Sequence, residues 1–274
     1  MSGGGLWHRY GWVAYLAVFA GVVGHATSEF MSVLTGLRGP EVSVWRFSIG
    51  ALGLILICML REDTRDLLSP LRQDFWPIFG LSVVGFSLAY LFFHWSLDFA
   101  TVPQVAITVT TMPIFMALVN QWRTGEKIGV VKWMTGIAAI LAIAVLLTDG
   151  ALAQLAGTAD DLIGILMALA CAFFGGAFMI LARPYFSKYG AMRMTTLAIT
   201  ISAVVLWLGV GLLFGIWVSF ATIFDRSAGE SAAILLIGIY NTTITQWLWL
   251  GGLAAAPDIA RAGYLFFLKP VIAA

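Results

Sequence analysis

The chain has 274 residues, 61% of them hydrophobic and only 11% charged, with a formal net charge of +1. A soluble domain carries about 25% charged residues, so this composition excludes one, and a net charge near zero excludes a strongly basic nucleic-acid binder. The expectation is an all-α polytopic membrane protein whose partners are the lipid bilayer and a small molecule.

A bilayer crossing takes roughly 20 apolar residues. Nine runs approach that length: 12–33, 42–60, 75–97, 102–121, 130–148, 162–182, 192–217, 232–255 and 259–274. The first could pass for a signal peptide, but so many further runs follow it that it reads as a retained first helix. On this span His25 and Glu29 lie one helical turn apart and share a face with Gly21 and Ser32. A full charge in hydrocarbon costs at least about 2.5–3.5 kcal/mol, so Glu29 needs a partner, a cavity or a substrate. The second span brings Arg46 to a similar depth from the same side. Consecutive spans are antiparallel and often adjacent, so Glu29 and Arg46 are expected to share one half of a central cavity, paired or holding the two ends of a zwitterion. Shallow side chains snorkelling to the headgroups are the alternative. Glu29 is also the only acid well inside a predicted span, which makes it the candidate for proton coupling.

The third span carries Tyr90 and His94, again one turn apart, beside Trp95. The fourth carries Pro113 next to Thr110 and Thr111, and the eighth gathers Tyr240, Asn241, Thr245, Gln246 and Trp247. The ninth contains Lys269 followed by Pro270. Such residues suit an amphipathic cavity that stacks an aromatic group and hydrogen-bonds a polar one. The substrate-binding candidates are therefore Glu29, Arg46, His25, Tyr90, His94, Asn241, Trp247 and Lys269, while Trp95 and Trp249 read as interfacial anchors. Pro113 and Pro270 are expected hinges, because proline lacks an N–H and leaves a carbonyl unpaired one turn earlier. Cys58 and Cys171 lie inside apolar runs and read as small buried hydrophobes; neither a disulfide framework nor a metal motif is visible, and no metal or cofactor is expected.

The links are short, leaving no room for a folded soluble domain. With the N-terminus in the cytoplasm, Arg9, Arg61, Arg65, Arg72, Arg123, Lys127, Lys132, Arg183, Lys188 and Arg193 fall on the inner side, against Arg38 and Arg226 outside. That bias predicts an N-terminus inside and alternating spans, and a bacterial inner membrane is the expected setting. The 149–161 loop, with three acids and no base, suits the outside.

An internal repeat follows. An aromatic-rich helix, a tight turn and a helix with a central proline occur as Tyr90–Trp95, Thr101-Val-Pro103 and Pro113, and again as Trp247-Leu-Trp249, Ala256-Pro257-Asp258 and Pro270. A five-span unit crosses an odd number of times, so its copy is inverted. Residues 1–150 form the expected first unit. Residues 151–274 form a second that stops in its fourth helix, about one and a half helices short of ten.

Gly24, Arg46, Tyr90, the Leu97–Pro103 stretch, Met112-Pro113, Gly125-Glu126-Lys127, Trp133 and Gly136 resemble the drug/metabolite transporter superfamily in its EamA-type branch. The resemblance implies two inverted five-helix units around a central cavity. It implies export or facilitated passage of small metabolites, neutral and aromatic amino acids first, with a multidrug or cation exporter as the alternative. A membrane-embedded enzyme acting on lipid would need a convergent acid/base or metal set. The chain has no His-Glu-x-x-His, Gly-x-Ser-x-Gly or Walker pattern and no paired intramembrane acids, so no enzyme is expected. A monomer is the simplest assembly.

Overall fold

The computed structural model describes residues 11–147 and 159–273, and within them the chain is helical with no strand. Arg9 and most of the acidic loop, including the expected division near residue 150, lie outside the described residues. Among the described residues, seven helices are long and apolar enough to cross a membrane: Gly11–Leu34, Gly39–Met59, Leu68–Ser96, Val102–Thr124, Asp161–Leu181, Ala191–Phe214 and Ala228–Ala255. They coincide with seven of the nine predicted spans. The fifth span is a helix over Val130–Leu147, and the ninth is made of Ile259–Gly263, Tyr264–Leu268 and Lys269–Ala273.

Polarity runs opposite to that of a soluble protein. Arg46, Glu29, His94, Lys269, Asn241 and Gln246 are buried, whereas Leu56, Leu60, Trp76, Leu141, Leu212 and Leu213 are exposed. Polar atoms inside and a wide apolar exterior are the pattern that a hydrocarbon solvent selects. The chain is an all-α, multi-pass membrane protein.

The contacts between helix ends form two groups, one at each end of the bundle. At one end the Lys188 ammonium meets Asp74 at 2.6 Å, Arg183 donates to the Ala256 carbonyl at 3.0 Å, and Arg123 donates to the Ile180 carbonyl at 2.9 Å. At the other, the Gly39 N–H donates to Asp98 at 2.9 Å and Arg226 pairs with Glu41 at 2.9 Å. Successive spans therefore alternate in direction. The first span packs on the eighth, the sixth on the third, and the second on the seventh. Close approach sets the first of these contacts: a Cβ on Gly24 would lie 1.9 Å from Thr245 Oγ1.

Several boundaries differ from the sequence expectation. The third span begins at Leu68, kinked at Asp74, and the eighth at Ala228. Of residues 225–230, expected to be a link, the last three form the first turn of this helix, because Ser227 and Glu230 form a reciprocal capping box. The first span is broken at Thr27 into Gly11–Ala26 and Ser28–Leu34. Two π-helical stretches, Ser82–Leu88 and Ile239–Ile244, interrupt the third and eighth spans. In the second of these, Thr242 and Thr245 hydroxyls bond the carbonyls of Ile237 and Tyr240, five residues back, at 2.8 Å each.

The two prolines do not bend continuous helices. Pro113 stands in the first turn of Met112–Thr124, after a break at Thr110 and Thr111. Pro270 stands in the first turn of Lys269–Ala273, after a 3₁₀ stretch. Proline is favoured at the start of a helix, where its missing N–H is not needed.

Candidate functional site

Among the described residues, two groups of buried polar side chains hold the deep charges of the bundle. Arg46 is 0% exposed. Its Nε donates to Thr242 Oγ1 at 3.0 Å, its Nη2 to the Asn241 carbonyl at 3.0 Å, and its Nη1 to the Ser28 hydroxyl. The same Nη1 lies 3.3 Å from His94 Nε2, and Cζ lies 4.8 Å from the centroid of the Tyr90 ring. An arginine only donates, so His94 Nε2 must accept. The His94 proton is then on Nδ1, which reaches Ser43 Oγ at 2.7 Å, and the imidazole is neutral.

Glu29 and Lys269 form the second group, an ion pair between side chains 3% and 2% exposed as residues. Of the two arrangements expected for Glu29 and Arg46, a direct pair is not formed: the partner of Glu29 is Lys269 on the ninth span, and Glu29 stands in the separate helical segment that begins at Ser28. Arg46 is held by neutral groups. The Lys269 ammonium lies 5.3 Å from the Phe93 ring and 5.5 Å from Phe266. Both groups are buried, so neither acid nor base snorkels to a headgroup.

Between these groups lies a cavity of about 30 Å³, walled by His25, Ser28, Tyr90, Phe93, Trp249, Phe266 and Lys269 among others. It has room for about one or two waters. Pockets for drug-sized ligands run to roughly 300–1,000 Å³, so a metabolite enters only if the bundle opens. His25 meets Trp249 and Phe266 edge-to-face, each at 5.7 Å between centroids. His25 Nε2 and Glu29 Oε2 are buried without a hydrogen-bond partner, and of the two residues His25 lines the cavity, where a polar guest can meet it.

Of the sequence candidates, His25, Tyr90 and Lys269 line the cavity. Arg46, His94 and Glu29 stand directly behind that wall. Asn241 braces the first span: its Nδ2 donates to the Gly24 carbonyl at 2.5 Å and to Thr27 Oγ1 at 2.7 Å. Trp247 is half-buried against the hydrophobic core, and Trp249, at 1% exposure, faces the cavity in its place. Two positions along an α-helix turn by about 200°, so only one of the two can face inward. The anchor reading of Trp249 therefore falls. Ser28, Phe93 and Phe266 were not singled out from the sequence. Ser28 is adjacent to Glu29 and was the accessible clue; the phenylalanines were lost among 19.

Comparison with known proteins agrees with this architecture. An uncharacterized transporter of Bacillus subtilis, YdfC, is 25% identical, with the alignment covering 84% of this chain and 81% of that one. A crystal structure of a protein 20% identical superposes with a TM-score of 0.75 over 95% of this chain and 85% of its own, which shows a shared fold. Residues 9–148 match the EamA-like transporter family, and the chain belongs to that family of small-molecule membrane transporters.

Proposed function

We propose that the protein is a secondary transporter that carries a small amphipathic metabolite by alternating access between two inverted five-helix units. The observation that carries this reading is the pair of buried ionic groups, drawn from the first, second and ninth spans, that flank an aromatic-walled cavity at the bundle centre. Charges so deep are unfavourable unless they serve a polar route. The units are supported by one equal separation along the chain. It relates Pro113 to Pro270, Tyr90 to Trp247, the helix cap Thr101 to the cap Asp258, and the first residues of the two π-helices, Ser82 and Ile239. The pairing of the first span with the eighth, and of the third with the sixth, has the same exchange symmetry. The breaks before Pro113 and Pro270 are the hinges of this mechanism.

Neutral and aromatic amino acids are the leading substrates, and export of organic cations is the alternative. The setting is a bacterial inner membrane with the N-terminus in the cytoplasm and the protein as a monomer. Glu29 is the proton carrier if movement is coupled to a proton gradient. The test is flux of radiolabelled amino acids, sugars and amphipathic cations into proteoliposomes, with the recovered compound analysed for chemical change. Uptake of an unaltered compound supports transport, whereas a chemically altered product turns the assignment to an enzyme. Counterflow that ignores an imposed pH gradient removes the proton role of Glu29.

A further inference from the structure

We propose that the transported molecule carries a carboxylate, which seats at the cavity edge formed by Ser28 and Lys269 with Arg46 one hydrogen bond behind. The inference rests on the transport reading above and names its substrate chemistry.

The charge inventory of the site points there. Among the described residues the buried cluster holds two cations, Arg46 and Lys269, and one acid, Glu29, which is bonded to Lys269. Every hydrogen-bond partner of Arg46 is neutral: two hydroxyls, a carbonyl and an imidazole that must be accepting. Arginine keeps its proton in proteins, so this site cannot discharge itself. An uncompensated cation away from water is strongly unfavourable, and an anion brought by the guest relieves it.

Ser28 connects that charge to the cavity. Its hydroxyl accepts from Arg46 while lining the cavity, so its own hydrogen is available to an acceptor there. Lys269 lines the same cavity and brings an ammonium with three donors. A carboxylate at this edge meets two donors and the field of Arg46, and its apolar body lies against Tyr90, Phe93, Trp249 and Phe266. A cationic guest meets the same field with the wrong sign. A zwitterion has a further demand, since its ammonium must take Glu29 from Lys269. A plain monocarboxylate leaves that pair closed.

The test uses the purified full chain and three probes with one aromatic body: 3-phenylpropionate, phenylalanine and phenethylamine. Equilibrium binding is measured for each with the wild type and with Ser28→Ala, which removes the hydroxyl and leaves Arg46 its bonds to Thr242, His94 and the Asn241 carbonyl. We expect at least one carboxylate to bind tenfold or more tightly than the amine, and Ser28→Ala to weaken that carboxylate about tenfold with the amine unchanged. Phenylpropionate above phenylalanine means the Glu29–Lys269 pair stays closed, and the reverse order means the ammonium exchanges into it; both support the proposal. Amine binding that equals or exceeds both carboxylates overturns it, as does a Ser28→Ala protein with undiminished carboxylate affinity or a wild type that binds none of the three. Carboxylate binding without flux of any panel compound would leave this assignment standing and remove the transport reading. Flux of other compounds with both carboxylates ignored would do the opposite.

Discussion

Removing Glu29 or Lys269 alone should be far more damaging than removing both. Each is almost fully buried, and each is the other's ionic partner. Breaking a buried pair by deleting one member leaves an uncompensated charge and costs about 3–5 kcal/mol, while replacing both members is often close to neutral. Glu29→Gln and Lys269→Gln should therefore each destabilise by about that amount, and the double substitution should lie within about 1–2 kcal/mol of the wild type. The implied interaction energy, about 4 kcal/mol or more, is well beyond the roughly 0.3–0.5 kcal/mol scatter of independent sites. Reversible unfolding of the purified protein in mixed micelles, with SDS as denaturant, measures the cycle. A parallel cycle between Glu29 and Arg46 is the control. Additive single substitutions, or a larger coupling of Glu29 to Arg46 than to Lys269, would refute the pairing and with it the charge inventory of the site.

Three further outcomes are expected. Gly24→Ala should destabilise by about 1–3 kcal/mol through overpacking, because its Cβ would collide with Thr245, and Thr245→Ala should partly restore the loss in the same unfolding assay. Thr242→Val should cost about 1–3 kcal/mol, since it leaves Arg46 Nε without its acceptor in a buried site, and unfolding of the variant measures it. In a Cys58→Ser background, Cys171 should react slowly with a membrane-impermeant thiol reagent because it is buried in the cavity wall, and turnover with substrate should accelerate labelling; equal rates with and without substrate would count against opening at this cavity.

Most of the membrane architecture was legible in the sequence because hydropathy and span length act locally. The deep charges were legible for a related reason: Glu29, Arg46 and Lys269 are each costly where they stand, so each signals a site without any partner being known. Their pairing was not legible. Lys269 lies 240 positions from Glu29, and nothing local distinguishes it from Arg46 as the partner. The break at Thr27 and the two π-helices were also hidden, since they depend on which hydroxyls reach which carbonyls across or along helices. The choice of Trp249 over Trp247 rests on helix rotation, which a segment apolar on nearly every face leaves unspecified. The capping boxes, Thr101 with Gln104 and Ser227 with Glu230, were readable signals, and the second would have fixed the start of the eighth span.

The irregular backbone and the buried arginine depend on each other. In hydrocarbon, a broken or widened helix survives only where something satisfies the carbonyls it frees. Here the Gly24 carbonyl is taken by Thr27 Oγ1 and by Asn241 Nδ2, and the Asn241 carbonyl by Arg46. The Ser82 carbonyl, at the start of the other π-helix, is taken by Ser202 at 3.0 Å. Arg46 thus ties the eighth span's π-helix, through Asn241, to the break that carries Ser28 and Glu29. Any motion that separates the second span from the eighth must break the Arg46 bonds to the Asn241 carbonyl and to Thr242 together. It follows that Arg46→Gln confounds structure with recognition, because it orphans the Asn241 carbonyl as well as removing the charge. Ser28→Ala removes one acceptor of Arg46, the hydroxyl that links it to the cavity, and leaves Nη1 with His94. A variant whose stability is near wild type and whose carboxylate binding is weakened separates the two roles, and a variant that loses both together shows that they are one.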